Sequence, residues 1–260
     1  MSSSDSLVVI VTGAAGGLGK MIAKTFLASG ASVAICDVSA ERLASTSAEW
    51  EALHAGKFLA SKTDITDEDA VTAFVSAVVE KFGKVDVLVN NAGIMDTFDP
   101  AGQTAKSMWD KVMAVNATGT FLMSKAAVNV MLPAGGGTII SIGSVASYKG
   151  GAAGAAYTAS KHAVAGLSKN LAGFYGNKGI NSVVLYIGGM EETNIAAAFA
   201  VNPPNMEGMG RMRELTGYVQ GESNVPLTTV AKYCLFLSDR EVAAAANGGE
   251  VTVNKNWPAA

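Results

Sequence analysis

The chain contains few of the residues that mark secreted, metal-binding or nucleic-acid-binding proteins. Only 2 cysteines and 2 histidines occur among its 260 residues. Two cysteines without motif spacing argue against a disulfide framework and fit a reducing compartment, and two isolated histidines predict no metal site. The 19 basic residues do not outnumber the 22 acidic ones, which argues against nucleic acid as a partner.

Long apolar runs and targeting signals are also missing. The first apolar run, residues 7–11, follows a short polar segment without positive charge and is too short for a signal-peptide core or a membrane span. Residues 257–260 carry no lipidation or retrieval signal. These absences predict a cytoplasmic protein without a membrane partner.

What the chain does contain is a regular alternation of short apolar runs and longer helical stretches. Apolar residues make up 49% of the sequence, enough for a buried core, and no linker or repeat divides residues 1–260, so we expect one domain. The runs lack polar alternation, as strands buried on both faces do. They predict strands near 7–11, 32–36, 57–60, 85–89, 137–142, 180–186 and 249–253. Helices are predicted at 17–29, 39–54, 67–82, 104–131, 155–175 and 228–238.

Repeated β-α-β units predict an α/β fold, a doubly wound parallel sheet of about seven strands with helices on both faces. Residues 188–226 interrupt this rhythm, because they carry three prolines, several glycines and four methionines. We interpret them as a small lid insertion after the sixth strand, over the cleft.

In an open parallel sheet, ligands bind beyond the carboxyl ends of the strands. A glycine-rich turn follows the first strand and opens a helix, where the backbone can approach a pyrophosphate and the helix N-terminus favours its charge. A tight turn without a ligand is the alternative. The candidate cofactor residues of this turn are Gly13, Ala15, Gly16, Gly17, Leu18 and Gly19.

Asp37 and Val38 follow the second strand, and Asp37 stands 18 residues past Gly19. A carboxylate there can accept hydrogen bonds from the adenosine ribose hydroxyls and repels a 2′-phosphate. No Arg or Lys occupies the glycine-rich turn or the two positions after Asp37, so the sequence predicts NAD rather than NADP. The alternative is that Asp37 caps the next helix.

Further candidate cofactor residues follow the third, fourth and sixth strands. Asp64 and Ile65 could meet the adenine edge, or could serve only as a loop and cap. Small and amide residues after the fourth strand would let a cofactor pass closely, and a threonine after the sixth could hold the nicotinamide carboxamide. These later candidates are Asn91, Ala92, Gly93, Gly188, Gly189 and Thr193.

Tyr157 and Lys161 stand four residues apart, so on a helix both side chains point into one cleft. Ser144 lies thirteen residues before Tyr157, at the end of the fifth strand. A tyrosine ordinarily has a pKa near ~10. One lysine charge at about 4 Å supplies on the order of 4 kcal/mol at an effective dielectric near 20, enough to lower the pKa of the Tyr157 phenol to about 7. The pair therefore predicts an acid/base catalyst.

Over roughly residues 7–257, the chain resembles the short-chain dehydrogenase/reductase family. The resemblance rests on Thr12-Gly13-x-x-x-Gly17-x-Gly19, Asn90-Asn91-Ala92-Gly93, Asn116, Ser144 and Tyr157-x-x-x-Lys161. It implies a single-domain Rossmann-type sheet, a bound nicotinamide dinucleotide and a homotetramer or dimer. It also implies a catalytic role for Asn116, which would distort its helix and hold a water that relays protons from Lys161. Departures from the family pattern occur at Ile187, at Ser147 and at residues 254–256.

The resemblance implies that Tyr157 exchanges a proton with a small-molecule substrate whose oxygen Ser144 holds. Soft apolar residues around the cleft predict a bulky hydrophobic ketone or secondary alcohol, such as a terpenoid, steroid or polyketide. Their alternative role is to pack the lid against the body. These candidate substrate residues are Met95, Phe98, Met190 and Phe199. Glu191 and Glu192 are predicted to favour the N-terminus of a lid helix, or else to meet a polar substrate group.

The expected function is thus an NAD(H)-dependent oxidoreductase that interconverts a secondary alcohol and a ketone. The same fold and cofactor could also serve a cyclase, an isomerase or an epimerase without net redox change. A cofactor-sensing binding protein is a third possibility, and the complete set of Ser144, Tyr157 and Lys161 argues against it.

Overall fold

The computed structural model describes residues 6–190, 193, 199, 202–215, 219 and 222–258. Seven strands form one sheet in the order β3-β2-β1-β4-β5-β6-β7, and every pairing is parallel. Each strand lies within three residues of its predicted bounds, so the predicted doubly wound sheet is confirmed. The strands are β1 Val8–Thr12, β2 Ser32–Asp37, β3 Phe58–Lys62, β4 Val87–Asn90, β5 Gly137–Ile142, β6 Ile180–Ile187 and β7 Glu250–Val253.

Helices cover both faces of this sheet. Successive residues of a strand face opposite sides, so Val9 and Val11 pack in one core with α1, α2 and α8. Val8 and Ile10 pack in a second core with α3 and α5. The helices are α1 Gly17–Ala28, α2 Ala40–His54, α3 Glu68–Phe82, α4 Lys106–Met113, α5 Thr120–Met131, α6 Ala155–Tyr175, α7 Met206–Arg213, α8 Leu227–Phe236 and α9 Arg240–Ala245.

Two helical predictions differ from the structure. The predicted helix 104–131 is interrupted, because a π-helical segment, Ala114–Gly119, lies between α4 and α5. Asn116 is buried in this segment, and its side chain bonds the backbone of Ile94 rather than projecting to solvent. The prediction of a helix at 228–238 also missed α9, which begins anew because the Asp239 side chain caps it.

The lid insertion contains one described helix, α7, which the Asn205 side chain caps. Glu191 and Glu192 lie outside the described residues. None of the described helices has the length and apolar character that crossing a membrane requires. Within the same residues, no cluster of three or more His, Cys, Asp or Glu side chains could hold a metal ion.

Candidate active site

A cavity of about 680 Å³ opens where the carboxyl ends of the strands meet α1 and α6. Its size falls within the range of small-molecule sites, roughly 300–1,000 Å³. The sequence order of the sheet changes direction between β1 and β4, which is where α/β sheets bind ligands. The predicted site residues that line the cavity are Gly13, Gly16, Gly17, Leu18, Gly19, Asp37, Val38, Asp64, Ile65, Asn91, Ala92, Gly93, Ser144, Tyr157, Lys161, Gly188, Met190 and Thr193.

The glycine-rich turn brings an uncapped helix N-terminus to this cavity. α1 begins after Gly16, and no described side chain caps it, so the N–H groups of its first turn are left for a ligand or for water. Gly13 has φ of 62°, and a Cβ there would lie 2.8 Å from the Cα of Ala92. Gly19 is equally constrained, since a Cβ on it would collide with the Gly13 carbonyl oxygen. The turn therefore offers backbone N–H groups and no charged or polar side chain that would compete for them, as suits an anion site.

Asn91 fixes the turn to β4. Its Nδ2 donates to the carbonyl oxygens of Thr12 at 2.9 Å and Gly13 at 3.2 Å. In return, the Thr12 hydroxyl accepts the N–H groups of Asn91 and Ala92 at 3.0 and 2.9 Å. These bonds hold the ends of the two neighbouring strands in register beneath the cavity.

Asp37 is buried at the end of β2 and is more extensively bonded than the sequence indicated. Its Oδ2 accepts the Ala15 N–H at 3.2 Å, and its Oδ1 accepts the Ser39 N–H at 3.0 Å and the Arg42 guanidinium at 3.1 Å. Ala15 thus supports Asp37 rather than lining the cavity. The side chain of Ser39, not that of Asp37, accepts the Arg42 N–H at the start of α2.

Arg42 is a cavity residue that the sequence analysis missed. It stands five positions after Asp37, and the first turn of α2 carries it back to the carboxylate. The sequence analysis favoured NAD because it found no positive charge near Asp37. Arg42 supplies such a charge beside the predicted ribose site. Thr63, Ile94 and Lys111 also line the cavity without having been predicted.

Tyr157 lies in the first turn of α6 and faces the cavity together with Ser144. Burial raises the pKa of the Tyr157 phenol to about 12, a hydrogen bond with Ser144 lowers it, and the Asp96 carboxylate raises it further. The prediction of a pKa near 7 therefore has the wrong direction. It counted the attraction between the phenolate and Lys161 and left out the cost of removing both charges from water.

Lys161 follows one turn later on the same helix. Its Nζ donates to the Ile142 carbonyl oxygen at 2.8 Å and lies 5.5 Å from the centroid of the Tyr157 ring. Burial lowers the pKa of Lys161 to about 8. At neutral pH the site therefore holds an ammonium beside a protonated phenol.

Asn116 does not line the cavity among the described contacts, but it adjoins Lys161 through Gly93. Its Oδ1 accepts the Ile94 N–H at 2.8 Å, and its Nδ2 donates to the Ile94 carbonyl and to the Ser160 hydroxyl. A Cβ on Gly93 would lie 3.3 Å from this Oδ1 and 3.6 Å from the Lys161 Nζ. The expected helix distortion is present, and the water relay stays a prediction.

The candidate substrate residues separate into two groups. Met190 lines the main cavity, and Met95 packs against the apolar cluster that contains Tyr157. Phe98 instead lines a second cavity of about 400 Å³ beside α7, and its ring centroid lies 5.9 Å from that of Phe199. Those two rings join the lid to the body, which was the alternative role. Gly189 also packs inward, because a Cβ on it would lie 2.7 Å from the Asn224 Oδ1.

The fold and this arrangement agree with the protein family that the sequence comparisons identify. Residues 7–202 match the family model described as short chain dehydrogenase. The chain belongs to the short-chain dehydrogenase/reductase family. Its members are oxidoreductases that use a nicotinamide cofactor.

Several curated relatives match along nearly the whole chain. The chain is 42% identical over 250 residues to short chain dehydrogenase/reductase dpchG of Colletotrichum higginsianum. That match covers 95% of this chain and 92% of the relative. It is 35% identical over 252 residues to 3beta-hydroxysteroid dehydrogenase 2 of Eggerthella lenta, which covers 96% and 94%.

Solved structures give the same result. An actinorhodin polyketide ketoreductase variant crystallised with NADPH superposes with a TM-score of 0.85 at 29% identity and covers 100% of both chains. Levodione reductase superposes with a TM-score of 0.85 at 28% identity and covers 98% of both chains.

Proposed function

We propose that the protein is an NAD(H)-dependent oxidoreductase that interconverts a secondary alcohol and a ketone, with Tyr157 as the general acid/base. The observation that carries the proposal is one cavity that joins Asp37 to Ser144, Tyr157 and Lys161. Asp37 ends β2 and Ser144 follows β5, so β1 and β4 lie between them. Three strand spacings correspond to about 14 Å, room for an extended dinucleotide across the strand ends.

The residues present fit such a cofactor. The uncapped first turn of α1 supplies N–H groups for the pyrophosphate, and Lys161, Thr193 and the backbone at Gly188 lie at the opposite part of the cavity. When bound, the nicotinamide ring would take or give the hydride. All other steps fall to side chains of this chain.

Tyr157 handles the proton. Because burial raises its pKa to about 12, the phenol is protonated at neutral pH and can donate to a carbonyl oxygen during reduction. For oxidation it must first lose that proton, and the resulting phenolate is stabilised by the Ser144 hydroxyl and the Lys161 ammonium. Ser144 would also bind the substrate oxygen and stabilise the charge that develops there.

NAD is the proposed cofactor because the Asp37 carboxylate retains room for a ribose hydroxyl. A carboxylate offers about four lone-pair positions, and Asp37 receives three described hydrogen bonds. A 2′-phosphate would meet this negative charge at close range. Arg42 offsets part of that repulsion, so we expect discrimination against NADP to be incomplete.

The proposed substrate is bulky and hydrophobic, such as a terpenoid, steroid or polyketide-like molecule. Ile94, Ile187 and Met190 line the main cavity. Segment 150–154, from which Gly150, Gly151 and Ala153 line the second cavity, consists only of Gly and Ala. Apolar walls beside small residues leave space for a large ring system. The hydroxysteroid and polyketide named in two of the relatives agree with this class.

We further propose that residues 1–260 act as one domain in a cytoplasmic homodimer or homotetramer. Both described cysteines are free and buried, as in a reducing compartment. Large apolar side chains stay exposed on the outer helices: Trp109 at 37%, Phe121 at 47% and Phe174 at 67%. Sedimentation equilibrium should therefore give a mass of two or four chains.

The proposal is tested by following NADH absorbance with a panel of steroid, terpenoid and polyketide-like secondary alcohols and ketones. Tyr157→Phe should lower turnover by about 10²–10⁴-fold, the contribution of general acid–base catalysis. Tyr175→Phe, near the other end of α6, is the matched control and should keep full activity. A Tyr157→Phe enzyme within a few-fold of wild type would refute the assignment. Product without net NADH change would instead indicate a cyclase, isomerase or epimerase, and cofactor binding without product would indicate a sensor.

A further inference from the structure

Asp96 is a buried carboxylate that the chemistry above does not use. It lies in the loop after β4 and is 2% exposed. Its Oδ1 accepts the N–H groups of Phe98 at 3.1 Å and Gly154 at 3.2 Å, and its Oδ2 accepts the N–H of Tyr157 at 2.8 Å. Two of these three donors belong to a segment about 60 residues further along the chain, at the start of α6.

These contacts supply the cap that α6 lacks in its own sequence. The first N–H groups of a helix have no partner within the helix, and the N-cap residue of α6 is Gly154, which has no side chain. The Asp96 carboxylate takes two of these groups, and the Asp99 carbonyl takes a third, from Ala155, at 2.9 Å. The approach is so close that a Cβ on Gly154 would lie 2.5 Å from an Asp96 carboxylate oxygen. Only glycine at position 154 therefore leaves room for the Asp96 carboxylate at the N-terminus of α6.

The loop that carries Asp96 is itself held on its other side by α7. The Asn205 N–H donates to the Thr97 carbonyl at 2.8 Å, and the Asn205 Nδ2 donates to Asp99 Oδ1 at 3.0 Å. Gly208 lies against the Phe98 carbonyl, where any Cβ would clash. Phe98 has φ of 61°, a conformation that bulky residues rarely adopt, and its N–H bond to Asp96 stabilises it. The loop that carries Asp96 is thus held between α7 on one side and the first turn of α6 on the other.

We propose that Asp96 is a positioning residue for the acid/base group: it holds the first turn of α6 so that Tyr157 faces Ser144 and Lys161. This inference rests on the role proposed for Tyr157. Asp96 need not touch substrate or cofactor. It acts through the backbone of Tyr157 and through its own negative charge.

The charge gives a signature that a purely structural cap would not produce. Burial is the main cause of the raised pKa of Tyr157, the Ser144 hydrogen bond opposes it, and Asp96 adds to the rise. Among the described residues, the charged groups around Tyr157 are Asp96 from the β4 loop, Lys161 from α6 and Lys111 from α4, which lines the same cavity. Met108 and Val112, on α4, face it as apolar neighbours.

Asp96→Asn tests the charge. Asparagine keeps the shape of the Asp96 side chain and one acceptor oxygen, so turnover persists. The rise of the oxidation rate with pH, which we call the pH limb, reports deprotonation of the Tyr157 phenol. This limb should move to lower pH by about one unit. That is the effect expected of one charge about 10 Å away at an effective dielectric near 20. Asp99→Asn, which removes a charge from the same loop without touching the Tyr157 N–H, should leave the limb in place. A limb unmoved in Asp96→Asn overturns the electrostatic part of the proposal.

Asp96→Ala tests the positioning without any need for turnover. Hydrogen exchange of the Tyr157 and Gly154 amides should accelerate by at least tenfold relative to wild type, while amides in the middle of α6 keep their protection. An unchanged exchange rate in folded Asp96→Ala refutes the positioning role even if the enzyme is active. If the wild type turns over no alcohol or ketone of the panel while Asp96→Ala still shows the faster exchange, the cap is supported and the function proposed for Tyr157 is refuted.

Discussion

Replacing Lys161 with methionine should change how the stability of the protein depends on pH. Lys161 is 5% exposed, and burial lowers its pKa from 10.5 to about 8. Methionine has a similar length and no charge, so Lys161→Met removes this titration while it fills most of the same space. It also leaves the Ile142 carbonyl without the ammonium donor, at a cost of about 1–3 kcal/mol that does not depend on pH.

The magnitude follows from linkage between proton binding and folding. Between pH 8 and 10.5 the unfolded wild type holds a proton on this lysine that the folded protein has lost, so stability rises with pH. Below pH 8 the buried ammonium costs about 3 kcal/mol, at ~1.36 kcal/mol per pH unit. Between pH 7 and pH 9.5 the free energy of unfolding of the wild type should therefore rise by about 2 kcal/mol, and that of Lys161→Met should lack this rise.

Urea denaturation followed by tryptophan fluorescence measures this difference. Both proteins are unfolded at pH 7 and at pH 9.5, at one fixed protein concentration because any oligomerisation contributes to stability. The stability of the variant minus that of the wild type should fall by about 2 kcal/mol over this interval. Lys125→Met, at an exposed lysine paired with Glu68, is the control and should show no such change. A difference that stays constant with pH would refute the reasoning that Lys161 is desolvated.

Two further predictions concern the cofactor end and the acid/base group. Asp37→Ser should lower kcat/KM for NAD by about ten- to a hundredfold, the value of one hydrogen bond to a charged group. It should also raise kcat/KM for NADP, because Arg42 is released from its ion pair. An unchanged ratio of the two constants would contradict the ribose role of Asp37. Because oxidation needs the phenolate of a group whose pKa is raised to about 12, kcat/KM for oxidation should increase with pH by up to tenfold per unit, while kcat/KM for reduction stays level up to about pH 8, where Lys161 loses its charge. Parallel pH profiles in the two directions would count against Tyr157 as the shared acid and base.

The sheet could be predicted from the sequence because its strands are buried on both faces. Each appears as a short run of β-branched and other apolar residues, and the ends of those runs carry the glycine-rich turn, Asp37, Asn91 and Ser144. The π-helical segment at Asn116 left no such local signal. The family resemblance alone implied the distortion, and its physical cause, the bonds between the Asn116 side chain and the backbone of Ile94, required the structure.

The site residues that the sequence analysis missed are defined by how the folded chain turns back on itself, at short or at long range. Arg42 reaches Asp37 only because α2 turns back toward the end of β2. Asp96 meets Tyr157 across 61 positions of sequence. The predicted pKa of Tyr157 was wrong because it also depends on the whole fold. The Coulomb attraction of a neighbouring lysine can be estimated from sequence spacing, but the burial that outweighs it cannot.

Burial also determines the order in which Lys161 and Tyr157 lose their protons. Lysine ordinarily loses its proton slightly above tyrosine, yet here the pKa of Lys161 is about 8 and that of Tyr157 is about 12. Burial thus favours the neutral form of both side chains, the phenol of Tyr157 and the amine of Lys161. The resting site is a proton donor, and it becomes a proton acceptor only when further positive charge or a hydrogen-bonded substrate oxygen stabilises the phenolate. Because a catalyst cannot shift the equilibrium between alcohol and ketone, what these residues control is the pH at which each direction becomes fast.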